Sequence, residues 1–170
     1  KIIDSDDAYD IYNDILERYK DGIDVELIKK EWLDEEANFC TDELYTEIYW
    51  TALAYALWKI GHLDENIKNK ALEIISKGAS KLWNEIDERA VKARQKALNK
   101  LALQIQSENP RPIKKTKSVK RREPYFELGD VISIKFEDKY GICFVSDLEV
   151  RPRKIEYHIA CARTLQDFEP

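Results

Sequence analysis

The stretch LYTEIYWTALAYALWKI, running from Leu44 to Ile60 and closed by Gly61, decides the fold of this chain. From Ile48 onward it carries apolar or aromatic side chains around the whole circumference of a helix, interrupted only by Thr51 and Lys59. One stripe packed on one neighbour would leave part of such a helix in water, so it has to be surrounded. Ala52, Ala54 and Ala56 allow close approach by other helices. Tyr49, Trp50, Tyr55 and Trp58 add large apolar areas whose polar atoms need partners. The expectation is a helical bundle with residues 44–60 at its centre.

Working outward, Ser5 stands where an N-cap belongs, and Ala8, Ile11, Tyr12, Ile15, Leu16 and Tyr19 recur at helical spacing until Asp21-Gly22. Asp24 can cap a second helix through Val25, Leu27, Ile28, Trp32 and Leu33, followed by the acidic run Asp34-Glu35-Glu36 and a loop around Cys40. Thr41 or Asp42 opens the central helix. Beyond Gly61, a start at Leu63-Asp64 leads through Ile67, Ala71, Ile74 and Ile75 to Gly78, which reads as a terminator. Leu82, Trp83 and Ile86 read as an anchoring turn. Ala90, Arg94, Ala97, Leu98, Leu101 and Ile105 then mark a long last helix. Five helices in residues 1–106 with short connections imply an up-and-down bundle.

Residues 107–124, SENPRPIKKTKSVKRREP, combine prolines and bases without a hydrophobic period and read as a linker. The period then changes. Val131, Ile132, Ile134 and Phe136, a turn at Glu137-Asp138-Lys139, and the run Tyr140 to Val145 read as a β-hairpin. A third strand is expected at Ile155 to Cys161, after Arg151-Pro152-Arg153. The fold class is therefore α+β, with a helical bundle over 1–106, a basic linker over 107–124 and a small antiparallel β domain over 125–170. With no Met in the sequence, Lys1 reads as an internal residue, and the β unit reads as stopping where another strand is due.

The net charge of −5 conceals an asymmetry. Residues 1–47 hold 16 acids and 5 bases, whereas residues 107–124 hold 2 acids and 7 bases, so the placement of charge is more informative than its total. Three cysteines, Cys40, Cys143 and Cys161, are too few and too irregularly spaced for a disulfide framework or a metal knuckle. No run is long and apolar enough to span a bilayer, and a reducing, cytoplasmic setting is the expectation.

Asp7, Asp10, Asp14, Glu17 and Asp21 are spaced three and four apart and fall on one side of the first helix, opposite its apolar stripe. Like charges at these spacings disfavour an isolated helix, so an opposite charge is expected to meet them. A basic partner protein is one source, with Asp34, Glu35 and Glu36 extending the surface. An internal source is the stripe Arg89, Lys92, Lys96 and Lys100 on the last helix. The second charged feature, Lys114, Lys115, Lys117, Lys120, Arg121 and Arg122, is either a solvated linker or an arm that tracks nucleic-acid phosphates. The only two histidines, His62 and His158, show no nucleophile arrangement, and there is no glycine-rich phosphate loop. Cys143 and Cys161 read as small core residues, with a redox pair as the alternative. Neither catalysis, a metal nor a cofactor is expected.

The segments Trp50-Thr51-Ala52-Leu53-Ala54, Ala56-Leu57-Trp58 and Gly61-His62-Leu63-Asp64, with Ala71-Leu72-Glu73-Ile74-Ile75, Gly78 and Leu82-Trp83, resemble the helical part of immunity-type proteins of bacterial polymorphic toxin systems. Gly129-Asp130-Val131-Ile132-Ser133-Ile134 followed by Tyr140-Gly141 is similar to the opening of the SH3-like β barrels found in such families. The resemblance spans most of residues 45–160 and rests mainly on core and turn residues. It implies a cytoplasmic antitoxin that binds and blocks a cognate toxin domain without catalysis of its own. The acidic residues named above are the expected partner surface. The alternative is a nucleic-acid-binding adaptor that uses the basic linker and the β domain.

Overall fold

The computed structural model describes residues 1–85, 89–115, 123–137, 139–151 and 154–166, with the side chains of residues 136 and 163–166 outside the description. The chain forms two compact units, Lys1–Thr116 and Lys117–Pro170. The first is helical and the second is a β-sheet, which gives the α+β layout.

Four helices of the first unit begin where a short polar side chain accepts from an orphan backbone N–H. Ser5 Oγ accepts from Ala8 N at 3.2 Å ahead of α1, Asp6–Lys20. Asp24 accepts from Glu26 N at 2.7 Å ahead of α2, Val25–Asp34. A single turn, α3, follows at Glu36–Phe39, where the sequence suggests a loop. Asp42, rather than Thr41, caps α4, Glu43–Ile60, accepting from Leu44 N and Tyr45 N. Asp64 accepts from Ile67 N at 3.0 Å ahead of α5, Glu65–Ser76. A 3-10 turn at Lys81–Glu85 leads to α6, Ala90–Ile105. Ile86, expected in that turn, lies outside the described residues.

The central position of α4 follows from its composition. It packs against α1, α3, α5, α6 and the 3-10 turn, and Ile48, Trp50, Ala52, Leu53, Ala54, Ala56 and Leu57 are all buried. Gly61 ends the helix with φ 76°, a conformation that strains any residue with a Cβ. A Cβ there would also lie 3.0 Å from Pro112 Cβ.

That proximity reflects a departure from the expected linker. Residues 107–115 dock on the end of α4. Trp58 Nε1 donates to Ser107 O at 2.7 Å, Asn109 Nδ2 donates to Trp58 O and Lys59 O, and Ile113 N donates to Lys59 O at 2.9 Å. Ile113 packs on the core, and Lys115 Nζ sits 5.5 Å from the centre of the Tyr19 ring. The first half of the basic segment is thus part of the helical unit, because its interspersed polar and apolar groups satisfy the open carbonyls at the α4 terminus.

The second unit is an antiparallel meander in the order β1-β2-β3, with β1 at Val131–Phe136, β2 at Lys139–Val150 and β3 at Ile155–Gln166. Phe136 pairs with Lys139, and Glu137 takes φ 52° in the connection, as a tight hairpin requires. β3 runs past the expected end at Cys161. Asp138, Pro152 and Arg153 lie outside the described residues. None of the described helices is long and apolar enough to cross a membrane.

Candidate functional site: an acidic groove between two helices

The packing of α1 on α4 leaves the acidic side of α1 facing outward and towards α2. Asp14 meets α2 directly: its carboxylate accepts from Trp32 Nε1 at 2.9 Å. Arg18, one turn further along α1, donates to Asp14 at 3.4 Å and to the Glu31 carboxylate across the helix pair. Asp14, Arg18, Glu31, Trp32, Asp34 and Glu35 together line a groove of about 500 Å³. Two acidic sets that are well separated in sequence therefore share one site.

The expected site residues divide accordingly. Asp14, Asp34 and Glu35 line the groove. Asp10 and Asp7 lie one and two turns from Asp14 towards the start of α1 and do not line it. Asp10 is exposed, whereas Asp7, Glu17 and Asp21 are half-buried, with Asp21 in the C-cap position. Glu36 opens α3 and is half-buried. Lys114 and Lys115 are exposed, while Lys117, Lys120, Arg121 and Arg122 fall outside the described residues.

The internal source of positive charge is not the one expected. α1 packs on α4 and α2, not on α6, so the Arg89, Lys92, Lys96 and Lys100 stripe does not lie along the acidic side of α1. The base that meets Asp14 comes from α1 itself, as Arg18. An Asp14-to-Arg18 spacing of four residues is a signal legible in sequence. The participation of Glu31 and Trp32 needs the α1–α2 packing.

The electrostatics of the groove remain negative, with four carboxylates around one guanidinium. Asp34 sits in the last turn of α2, which contains no base. The helix dipole presents its negative end there, so Asp34 opposes local stability rather than supporting it. Beneath the groove, the Tyr49 hydroxyl donates to the Trp32 carbonyl. Burial first, then Coulombic repulsion from Cys40 when ionised and from Glu36 and Glu35, push the Tyr49 phenol far above its ordinary range. It remains a neutral structural donor. Leu27, Glu31 and Asp34 fall within about 60° of one another around α2. Leu27 is 48% exposed, which places an apolar side chain beside the carboxylates.

A rival cleft of about 590 Å³ lies between the start of α4 and the Lys77–Lys81 region, with Glu47 in its lining. Glu47 is fully engaged there: Oε1 accepts from Arg94 Nε at 2.6 Å and Trp83 Nε1 at 3.2 Å, and Oε2 accepts from Ser80 N at 2.7 Å. That carboxylate holds structure together, with both oxygens already accepting from buried donors. Sequence reasoning placed Arg94 on the inward face of the last helix but did not identify its partner.

Burial raises the Cys40 thiol first, against a lowering hydrogen bond from Thr46, so it is not an activated nucleophile. His62 is a loop residue after Gly61, its N donating to Leu57 O and its ring edge-on to Tyr19 at 5.5 Å. No cluster of three or more potential metal ligands occurs among the described residues.

No family model matches this chain, and no curated protein or solved structure matches it. The functional reading therefore rests on the groove.

Proposed function

We propose that this chain is a non-catalytic binding protein whose acidic groove receives a basic segment of a partner protein. The observation that carries the reading is the convergence of Asp14, Glu31, Asp34 and Glu35 on one groove, with Asp34 placed against the α2 dipole. Charge retained at a local cost to the fold is charge placed for another purpose. Exposed ion pairs contribute little affinity, about 0–1 kcal/mol each, so the groove acts mainly on encounter rate and partner choice. Leu27 supplies apolar contact at its margin.

Together with the resemblance of the helical and β segments to immunity-type proteins, this supports a bacterial, cytoplasmic antitoxin that neutralises a cognate toxin domain. A basic toxin nuclease is the partner chemistry that fits best. Carboxylates in the groove then occupy the surface that such a toxin offers to phosphate.

The test is affinity capture from lysate of the source cell, with the wild-type chain and Asp34→Lys/Glu35→Lys side by side, at low and moderate salt. The expected result is one stoichiometric basic protein, retained by the wild type and lost by the variant. Retention of the same proteins by both chains contradicts the groove reading. Salt-sensitive retention of nucleic acid alone, lost on neutralising the bases between Lys114 and Arg122, replaces it with the adaptor reading.

A further inference from the structure

The β-sheet brings two residues together that the acidic groove does not use. Cys143 on β2 and Cys161 on β3 are direct partners in the antiparallel register, and their sulfur atoms stand 2.6 Å apart. Directly opposed residues on antiparallel strands point to the same face with Cβ atoms about 4.5–5.5 Å apart, close to the separation of about 3.5–4.5 Å that a disulfide requires. The pair stands at one end of a short regular stretch, Cys143 to Val145, with a second register shift between Val145 and Asp147. Between Gly141 and Cys143 the register shifts, so that Gly141 pairs with Leu165 and Cys143 with Cys161. A bulge of this kind lets the strands adjust locally without disturbing Phe144↔Ala160 and Val145↔Ile159 on the other side.

The two residues differ in exposure. Cys143 is 1% exposed, whereas Cys161 is open to solvent. The sequence suggests two core residues, and only Cys143 is one. We propose that Cys143 and Cys161 form a reversible redox modification site, converted to an intramolecular disulfide by exchange with a low-molecular-weight disulfide.

The exposed Cys161 thiol gives up its proton to water, and the thiolate attacks one sulfur of the small disulfide. The external S–S bond breaks, one small thiol leaves, and the other half remains on Cys161 as a mixed disulfide. Cys143 then loses its proton and attacks Cys161 Sγ, releasing the second small thiol. Two protein thiols are oxidised and one external disulfide is reduced to two thiols, so atoms and electrons balance. The hydrogen bond to Cys161 and, after it, burial hold the Cys143 thiol above its ordinary range, which keeps it protonated in the reduced sheet. Cys40 belongs to the helical unit and takes no part.

The experiment equilibrates the reduced full chain with reduced and oxidised glutathione over a range of ratios, alkylates the remaining thiols and maps them by mass spectrometry. The expected product is a linked Cys143–Cys161 peptide, lighter by two hydrogens, with Cys40 alkylated throughout. In Cys143→Ser the reaction is expected to stop with glutathione on Cys161, and in Cys161→Ser little or no adduct forms at Cys143. The proposal is overturned if the wild type keeps both thiols alkylatable at the most oxidising ratio. It is also overturned if Cys161→Ser takes glutathione at Cys143 as readily as Cys143→Ser does at Cys161.

Discussion

The Arg94 guanidinium donates to the Glu47 carboxylate at 2.6 Å with both side chains almost completely removed from solvent, 1% and 2% exposed. The rest of the guanidinium is engaged as well. Nη1 donates to Lys1 O, Ile2 O and Asp4, and Nη2 donates to Thr51 Oγ1 at 3.1 Å. One face lies 5.0 Å from the Trp83 ring centre. A single side chain on α6 thus ties together α4, the 3-10 turn and the segment ahead of α1. Each of its three nitrogens has at least one acceptor, which is the kind of support that makes a buried ion pair tolerable.

Removing either partner leaves the other charge buried. Arg94→Met and Glu47→Gln are each expected to lower stability by about 3–5 kcal/mol in urea unfolding. The double variant is expected to lose clearly less than the sum of the two, because the residues act as a unit.

Two buried tryptophans give opposite expectations. Trp50 is 5% exposed and its Nε1 finds no acceptor among the described residues, whereas Trp83 Nε1 donates to Glu47. A buried donor without a partner costs about 1–3 kcal/mol, an amount that offsets the apolar area lost on changing the ring. Trp50→Phe is therefore expected to leave the thermal midpoint unchanged or raise it. Trp83→Phe is expected to lower stability by about 1–3 kcal/mol, since it leaves Glu47 short of a donor.

The junction of α2 with α5 sets an acid-dependent component of stability. Lys29 is nearly buried and its Nζ lies 3.1 Å from Asp64, the N-cap of α5. Partial burial acts to raise the Asp64 carboxyl, but the hydrogen bonds from Ile67 N and Lys29 outweigh it and hold the group below its ordinary 3.8. A depressed carboxyl contributes stability that is full above the unfolded value and lost as pH falls through the lower folded one. Asp64→Asn keeps a capping oxygen and removes the charge. Denaturant unfolding from about pH 5 to pH 2 is expected to show a shallower loss of stability in the variant than in the wild type.

The architecture was legible because it rests on local rules. The all-round apolar surface after Ile48 requires a central helix, and Ser5, Asp24 and Asp64 are caps that need nothing beyond their neighbours. What the sequence could not supply is pairing across elements. Arg94 follows the inward period of its helix, yet nothing local connects it to a carboxylate 47 residues away. Asp14 and Asp34 both read as acidic, but their shared groove depends on the angle between α1 and α2. Residues 107–115 look like a tether because proline and charge dominate them. They dock because α4 ends in open carbonyls that Asn109 and Ile113 can reach.

The groove separates binding from folding. Asp34 and Glu35 are exposed, and Asp34 opposes the α2 dipole. Asp34→Lys/Glu35→Lys is expected to change stability by no more than about 0.5 kcal/mol, and in the stabilising direction if at all. Urea unfolding of the two chains checks this.

The measurement that decides the account is the association rate of the captured partner with wild type and with Asp34→Lys/Glu35→Lys, followed across ionic strength. The expected result is a wild-type rate that falls steeply with salt and a variant rate roughly tenfold or more lower at low salt, with little salt dependence left. Equal rates for the two chains at every salt concentration would contradict the claim that the acidic groove is where the partner binds.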